Sequence, residues 1–314
     1  MMIEAAGGTV HWLDSPDGLR LRAAHFPATP DTRGAHGTVL LLNGRTEFIE
    51  KYLEPIAELR ARGFAVWTQD WRGQGLSSRL LPDPIPNHAV QFDDHLADLD
   101  MLLDQLVLPG LAGPLVLVAH SMGGHLGAHA LARRPRLFAR AVLSAPMIDV
   151  RRGRLPRRAM RLLVGLACLR QGQAARPGPG ASRLPPLDRP FANNPLTTCP
   201  DRYAADVAMM RDQPALQVGG PTWGWLRAAT AGIAALHRPG FARGITLPVL
   251  LLVAGGDRLV DNRAIRAFAA RLPDAELAEF PGAEHELLRE HDRHRHAVWA
   301  AIDRFLAPIK APPP

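Results

Sequence analysis

The chain has 314 residues, of which 47% are hydrophobic and 21% are charged, and this composition excludes an intrinsically disordered protein. Its net charge of +7 comes almost entirely from arginine, because lysine occurs only at Lys51 and Lys310. We attribute this bias mainly to genomic base composition and expect no nucleic-acid partner. The two cysteines, Cys168 and Cys199, are too few for a disulfide framework.

The N-terminal segment, residues 1–9, lacks the positively charged start and apolar run of a signal peptide. The longest apolar stretch near the middle of the chain, residues 162–169, is far shorter than the about 20 residues that a membrane-spanning helix needs. These features predict a cytoplasmic protein that is at most peripheral to the inner face of the membrane.

The predicted elements begin with a β-hairpin over residues 10–26, which alternates around a turn at 15–18. Continuous apolar runs, typical of strands buried on both faces of a parallel sheet, follow at 38–42, 65–68, 115–118, 141–143 and 249–253. A final short strand is predicted at 277–280. Helical patterns lie between and after the strands, at 50–62, 92–107, 123–134, 262–271 and 293–306. This alternation predicts an α/β fold, with a mostly parallel sheet covered by helices on both faces.

One long segment interrupts the alternation. Residues 147–241 are rich in Arg, Pro and Gly and separate the strand predicted at 141–143 from the strand predicted at 249–253. We therefore expect residues 1–146 and 242–314 to form the core domain, and residues 147–241 to form an inserted helical cap.

The strongest motif is a strand that runs into Ala119-His120-Ser121-Met122-Gly123-Gly124 and then into a helix. This context suits the GxSxG nucleophile elbow, in which a serine stands on a strained strand-to-helix turn. Ala119 replaces the first glycine and is small enough for the same close packing. We predict that Ser121 is a nucleophile; the alternative is a serine that only caps a helix.

A serine hydroxyl needs a general base, which a carboxylate must orient, and in this fold the order along the chain is serine, acid, histidine. Asp257 follows the strand at 249–253, and His285 follows the strand at 277–280. We predict that they are the acid and the base. Asp261 is the rival acid, and a loop residue without a role is the alternative for either position.

Acyl transfer also requires hydrogen-bond donors for the oxyanion. One predicted donor is the backbone N–H of Met122, the residue after the nucleophile. The other is the backbone N–H of Arg45, in the loop after the first parallel strand. We expect Glu47, in the same loop, to favour the N-terminus of the following helix.

These segments together resemble the monoacylglycerol lipase and bacterial lysophospholipase branch of the α/β-hydrolases, with Asn43 standing where the family usually has histidine. The resemblance covers nearly the whole core, in the segments 43–52, 70–77, 120–124, 256–257 and 282–285. It implies an α/β-hydrolase fold and hydrolysis of a carboxylic ester that carries one long acyl chain, without metal or organic cofactor. The alternatives are a general carboxylesterase, thioesterase or acyltransferase with the same triad, or a non-catalytic binding protein on a hydrolase scaffold.

The predicted cap offers apolar surface for an acyl chain, from Met209, Trp223, Trp225 and Leu226. Its first part is a basic amphipathic segment, which suggests contact with anionic lipid headgroups; a solvated arginine face is the alternative. The arginines of this segment are Arg151, Arg152, Arg154, Arg157, Arg158 and Arg161. We expect no metal site, because His125 and His129 have helical spacing but lack a third ligand.

Overall fold

The computed structural model describes residues 2–29, 36–151, 155–170, 172–179, 186–307 and 309. Its centre is an eight-stranded sheet with the strand order β1-β2-β4-β3-β5-β6-β7-β8. β1 and β2 form an antiparallel hairpin, and β2 also pairs with β4 in the antiparallel direction. All other neighbouring strands of the sheet are parallel. The strands are Thr9–Asp14, Arg20–Phe26, Gly37–Leu42, Phe64–Gln69, Leu115–His120, Arg140–Ser144, Val249–Ala254 and Ala275–Phe280.

Helices cover both faces of this sheet, which confirms the predicted fold class. Alternate residues of β3 enter two separate hydrophobic clusters: Leu40 and Leu42 face one layer of helices, and Val39 and Leu41 face the other. The first layer contains α3, α4 and α8, at Phe92–Leu102, Met122–Arg133 and Asn262–Ala269. The second contains α1, α2 and α9, at Met2–Ala5, Leu53–Ala61 and Asp292–Leu306.

The segment between β6 and β7 contains α5, α6 and α7, at Arg157–Cys168, Pro200–Asp212 and Trp223–Leu236. We call residues 147–241 the cap segment. α7 joins it to the core, because Trp225 packs edge-on against Phe92 with the ring centroids 5.8 Å apart. α5 packs in turn on α7. Two of the predicted basic residues, Arg152 and Arg154, lie outside the described residues.

The beginning of the cap segment is attached to the loop that follows β7. Val150 forms an isolated antiparallel bridge with Val260. The N–H of Arg151 donates to the carbonyl oxygen of Leu259 over 3.0 Å, and the N–H of Asp261 donates to that of Asp149 over 2.9 Å. We call this short ladder the cap staple. Every helix in the described part of the chain is too short or too polar to span a bilayer.

Candidate active site

Ser121 occupies the single-residue turn between β5 and α4. Its backbone has φ 53° and ψ −115°, a conformation that L-residues rarely adopt. Two hydrogen bonds hold the turn: the N–H of Ser121 donates to the carbonyl of Ser144 over 3.1 Å, and the N–H of Met147 donates to the carbonyl of Ser121 over 2.9 Å. The surrounding strands thus compensate for the strain and fix the direction of the hydroxyl.

The glycines after Ser121 allow α4 to approach the sheet closely. A Cβ on Gly123 would lie 2.5 Å from the carbonyl oxygens of Leu42 and Asn43. A Cβ on Gly124 would lie 2.8 Å from the Cβ of Pro146. Both distances are too short for real carbon contacts, so only glycine fits at these positions without movement of the chain.

The structure brings Ser121, His285 and Asp257 together at the carboxyl edge of the parallel strands. The Nε2 of His285 lies 2.8 Å from the Oγ of Ser121, and its Nδ1 lies 2.6 Å from the Oδ2 of Asp257. An ionised carboxylate only accepts hydrogen bonds, so Nδ1 carries the proton and Nε2 is free to accept from the serine hydroxyl. All three residues are at most 9% exposed.

The loop after β7 fixes the second oxygen of Asp257. Its Oδ1 accepts the backbone N–H groups of Leu259 and Val260, at 2.7 and 3.0 Å. Asp261, the rival acid, instead caps α8 by accepting the N–H of Arg263 over 2.9 Å. The hydrogen-bond geometry therefore pairs the histidine with Asp257 rather than with Asp261.

The electrostatics of this pair favour a charged aspartate. Burial alone would lower the pKa of His285, but the charge of Asp257 and the hydrogen bond to it outweigh burial and raise that pKa above its usual value. Burial opposes ionisation of Asp257 as well. The nearby imidazole and two backbone N–H donors overcome it and lower the pKa of this carboxyl.

Two backbone N–H groups near Ser121 are available as donors. Met122 begins α4, where the first N–H groups of a helix have no partner within the helix and carry its positive dipole end. The N–H of Arg45 likewise donates to no other residue within the described ranges. The loop of Arg45 abuts the elbow, since a Cβ on Gly44 would lie 3.0 Å from the Cδ2 of His120.

Comparison with known proteins identifies the family. The family model Hydrolase_4, described as "Serine aminopeptidase, S33", matches residues 33–292, which is more than half of the chain. The chain belongs to this family. The predicted resemblance is also confirmed by a relative 35% identical over 302 residues, "Lysophospholipase L2" of Escherichia coli strain K12, in an alignment that covers 92% of this chain and 85% of that protein.

Two further matches agree with this placement in the Hydrolase_4 family. A "Probable lysophospholipase L2" of Haemophilus influenzae is 30% identical over 268 residues, with 85% of this chain and 83% of the relative covered. A solved structure, a soluble variant of monoglyceride lipase from Saccharomyces cerevisiae, superposes with a TM-score of 0.74 at 18% identity and covers 97% of this chain and 96% of its own. This last likeness confirms the α/β-hydrolase fold.

Glu47 does not act as the helix-terminal residue that the sequence suggested. It is buried, and its Oε2 accepts the N–H of Gly44 at 2.5 Å and the hydroxyl of Tyr52 at 2.6 Å. Its Oε1 lies 3.1 Å from the Nζ of Lys51. The expectation was wrong because the chain forms a 3-10 turn at Ile49–Tyr52 before α2, which brings Tyr52 and Lys51 back toward the loop.

Lys51 extends this network from the Gly44 loop to the base. Its Nζ also lies 2.6 Å from the Oε1 of Glu286, the residue after His285, and 3.3 Å from the Oδ2 of Asp206 on α6. Burial disfavours the charge on Lys51, but the carboxylates around it raise its pKa above the usual value. Sequence analysis missed this ion cluster, although the i,i+4 spacing of Glu47 and Lys51 was a visible signal.

The structure separates the residues predicted to contact an acyl chain. Trp225 is buried beneath Arg45, whose guanidinium carbon lies 5.3 Å from the ring centroid. Trp223 and Leu226 are half-buried on the same helix, α7. Met209 lies elsewhere: it lines a hollow of about 550 Å³ whose wall includes Lys51, Arg202 and Arg289. Apolar side chains, among them Leu53 and Ala205, also line this hollow, and the acyl contact of Met209 stays a prediction.

The histidines considered as metal ligands pack against one another and, edge-on, against aromatic rings. The His125 and His129 rings lie 4.9 Å apart, and His125 also packs edge-on against Phe92. Burial lowers the pKa of His125 to about 3 and that of His129 to about 4. Within the described ranges, no group of three or more His, Cys, Asp or Glu side chains is arranged to hold a metal ion.

Proposed function

We propose that the protein hydrolyses the carboxylic ester of a single-acyl lipid, such as a lysophospholipid or a monoacylglycerol, through an acyl-enzyme on Ser121. The hydrogen-bonded chain from the Ser121 hydroxyl through His285 to Asp257 carries this proposal. The name of the Escherichia coli relative supports the lipid class of the substrate. In this proposal Ser121 is the nucleophile, His285 the base and Asp257 the orienting acid.

The reaction begins with attack of the Ser121 oxygen on the ester carbonyl. The Nε2 of His285 takes the hydroxyl proton as the bond forms, and the charge of Asp257 stabilises the resulting imidazolium. The carbonyl oxygen becomes negatively charged, and the N–H groups of Met122 and Arg45 donate hydrogen bonds to it. Such donors stabilise the transition state because they are already oriented before the charge develops.

Collapse of this intermediate breaks the bond to the leaving alcohol. His285 returns its proton to the departing oxygen, and the acyl group remains on Ser121. A water molecule then attacks the acyl-enzyme by the same route: His285 accepts its proton, and the serine leaves with that proton. The fatty acid and the free enzyme result, and no cofactor is required by this sequence of steps.

We assign residues 147–241 to a cap domain that contributes to the acyl site. The burial of Trp225 beside Arg45 supports this assignment, because it places a cap side chain against the proposed donor loop. Trp223, Trp225 and Leu226 share α7 and remain the proposed acyl contacts. Met209 is a weaker proposal, since it lines the charged hollow.

The outer face of α5 supports contact with an anionic lipid surface. Four leucines with helical spacing are 53–79% exposed on this helix and the turn that follows it: Leu162, Leu163, Leu166 and Leu169. Two exposed arginines, Arg158 and Arg161, flank this apolar face. Apolar side chains between basic ones are typical of helices that lie in a membrane interface, and co-sedimentation with anionic vesicles tests the contact.

The Ser121→Ala variant tests the reaction. We expect it to lose ester turnover by about 10⁶-fold and to lose labelling by a fluorophosphonate probe, because Ser121 is the one nucleophile among the described residues that is hydrogen-bonded to His285. Ser144→Ala, on the neighbouring strand β6, is the matched control, since it removes a buried hydroxyl that forms no hydrogen bond with any described residue. Initial rates on a long-chain lysophospholipid and a monoacylglycerol, with melting temperatures, provide the readout.

A panel of substrates that adds a short-chain ester, a thioester and an aminoacyl anilide to the two lipids separates this proposal from its alternatives. Preference for a short-chain ester, a thioester or an aminoacyl anilide over both lipids would contradict the lipid class while keeping the triad. Wild-type-like turnover by Ser121→Ala would contradict the nucleophile. Failure of the wild-type protein to react with the probe would instead favour a non-catalytic binding protein.

A further inference from the structure

The loop that carries His285 follows β8, and its backbone is held on both sides of the histidine. The N–H of Glu284, the residue before the histidine, donates to the Oε1 of Glu290 over 2.8 Å. The N–H of Glu286, the residue after it, donates to the carbonyl of Leu196 over 2.7 Å. One side chain of the core and one carbonyl of the cap segment therefore fix the backbone around the base.

Glu290 connects this loop to the cap segment. It is fully buried, and its Oε2 accepts both the N–H and the hydroxyl of Thr198, over 2.9 and 2.7 Å. The same oxygen accepts the N–H of His291 over 2.6 Å. Burial alone would raise the pKa of Glu290, but these hydrogen bonds and the one from Glu284 outweigh burial and lower that pKa. The carboxylate is thus ionised at neutral pH and accepts donors at both oxygens.

The cap side of this contact is a tight turn. The Oδ1 of Asn194 accepts the N–H groups of Leu196 and Thr197, over 2.9 and 3.1 Å. The hydroxyl of Thr197 donates in turn to the carbonyl of Arg289 over 3.0 Å. Hydrogen bonds between side chains and backbone stabilise turns that have no regular secondary structure. The turn therefore presents Leu196 and Thr198 to the loop of the base in a defined geometry.

The other restraints on His285 act on its ring. Its two nitrogens contact Asp257 and Ser121, and its centroid lies 4.7 Å from that of His120. A base must stay within about 2.6–3.2 Å of the atom whose proton it takes. Both ring nitrogens keep such distances at once only if the backbone of His285 is correctly placed. The hydrogen bonds of its two neighbours supply that placement.

We call Leu196, Thr198 and Glu290 the base clamp. We propose that Glu290 is a positioning residue for His285, and that the cap segment holds the base against Ser121 through this clamp. This inference rests on the proposed function, because it concerns the triad of that reaction. The cap segment then contributes to the catalytic geometry, beyond its proposed contact with the acyl chain.

Glu290→Gln keeps the size of the side chain and tests the clamp. Both carboxylate oxygens accept donors, so the amide nitrogen of glutamine must face a donor, and one side of the clamp opens. We expect kcat for a soluble short-chain ester and the rate of fluorophosphonate labelling to fall about 10- to 100-fold, with little change in KM. The acid limb of kcat/KM should move to lower pH, because the pKa of His285 falls when the ring moves away from Asp257.

Glu290→Asp separates position from charge. It keeps the negative charge but shortens the side chain by one methylene, about 1.5 Å, so the carboxylate no longer reaches both sides of the clamp. The groups that act on His285 stay unchanged in both variants: Asp257, Glu286, Glu47 and His120. We expect slower labelling and a shifted acid limb here too. Wild-type behaviour of Glu290→Asp beside a defect in Glu290→Gln would show an effect of charge alone and overturn the clamp.

Glu54→Gln is the matched control. Glu54 joins α2 to α6 of the cap segment through two hydrogen bonds of 2.7 Å from Arg202. The variant therefore loses the same charge at a contact between core and cap that lies outside the base clamp. We expect the labelling rate and the acid limb to keep their wild-type values. Equal defects in Glu54→Gln and Glu290→Gln would assign the effect to cap attachment in general and refute the clamp.

Thr198→Val covers the case in which Glu290→Gln does not fold. It removes one donor to Glu290 without any change in charge, and we expect labelling to slow about 3- to 10-fold. A lower melting temperature with an unchanged labelling rate and acid limb in the clamp variants would leave Glu290 a purely structural role and overturn the proposal. If the wild-type protein reacts with the probe but hydrolyses neither lipid, the proposed function fails, while the labelling rates still decide for or against the clamp.

Discussion

The hydrolase core and helix α5 of the cap segment place their basic side chains differently. In the core, Lys51 is surrounded by Glu47 and Glu286, and Arg22 lies between Glu50 and Asp70. In the cap segment, leucines of α5 that are more than half exposed lie beside the exposed arginines Arg158 and Arg161. A charge that is already neutralised stabilises the fold, whereas one that is not is available for a ligand.

This contrast indicates that the core and helix α5 of the cap segment have separate functions. The core holds reacting groups in one geometry, so substitutions there should affect the chemical step or the stability of the fold. The cap presents exposed apolar and basic side chains on α5, so substitutions there should affect which substrate or surface is bound. The following predictions test this division, beginning with the largest effect.

Asp257→Asn is expected to lower kcat by about 10⁴-fold, because the amide no longer stabilises the imidazolium or enforces its tautomer. The pH profile provides a second readout. His285 must be neutral to act as base, so kcat/KM rises as the pH rises through its pKa, which Asp257 raises. In the variant, this acid limb should move to lower pH.

Asp261→Asn is the matched control for that experiment. Asp261 caps α8 through the N–H of Arg263, and asparagine is an equally good cap. The control should keep wild-type kinetics. An acid limb that moved in Asp261→Asn and stayed in place in Asp257→Asn would reverse the assignment of the two carboxylates.

Lys51→Met is expected to lower the free energy of unfolding by about 3–5 kcal/mol, because it leaves Glu47 and Glu286 buried without their cation. Urea unfolding provides the measurement. Arg266→Gln is the control, because the Arg266–Glu279 pair is exposed and should contribute less than about 1 kcal/mol. Equal effects of the two substitutions would remove the distinction between buried and exposed pairs.

Replacement of Leu162 and Leu166 by serine is expected to weaken binding to anionic vesicles about tenfold, because apolar surface no longer enters the lipid interface. Hydrolysis of a soluble short-chain ester should not change, since both side chains point to solvent. Sedimentation at low and high salt measures the binding. Unaltered binding at low salt would show that the α5 leucines are not the contact.

Much of the core was predictable because its signals are local. The run at 115–118 and the small residues after Ser121 predicted β5, the elbow and α4 at nearly their observed bounds. Chain order and strand ends sufficed to nominate Asp257 and His285. The elbow is encoded within ten residues, so no long-range information was needed to find it.

The ion cluster around Lys51 was not predictable in the same way. Lys51 and Glu286 are separated by 235 positions, and only the finished sheet brings them within 2.6 Å.

The cap staple has a practical consequence for protein engineering. Arg151 also donates from its Nη1 to the carbonyl of Asp257 at 3.1 Å, so residues 149–151 support the same loop that positions the acid. A chimera that exchanges caps between homologues should therefore place its first junction after Arg151 rather than at residue 147. A junction before residue 149 would also replace the residues that support the Asp257 loop. A change in activity could then not be attributed to the cap alone.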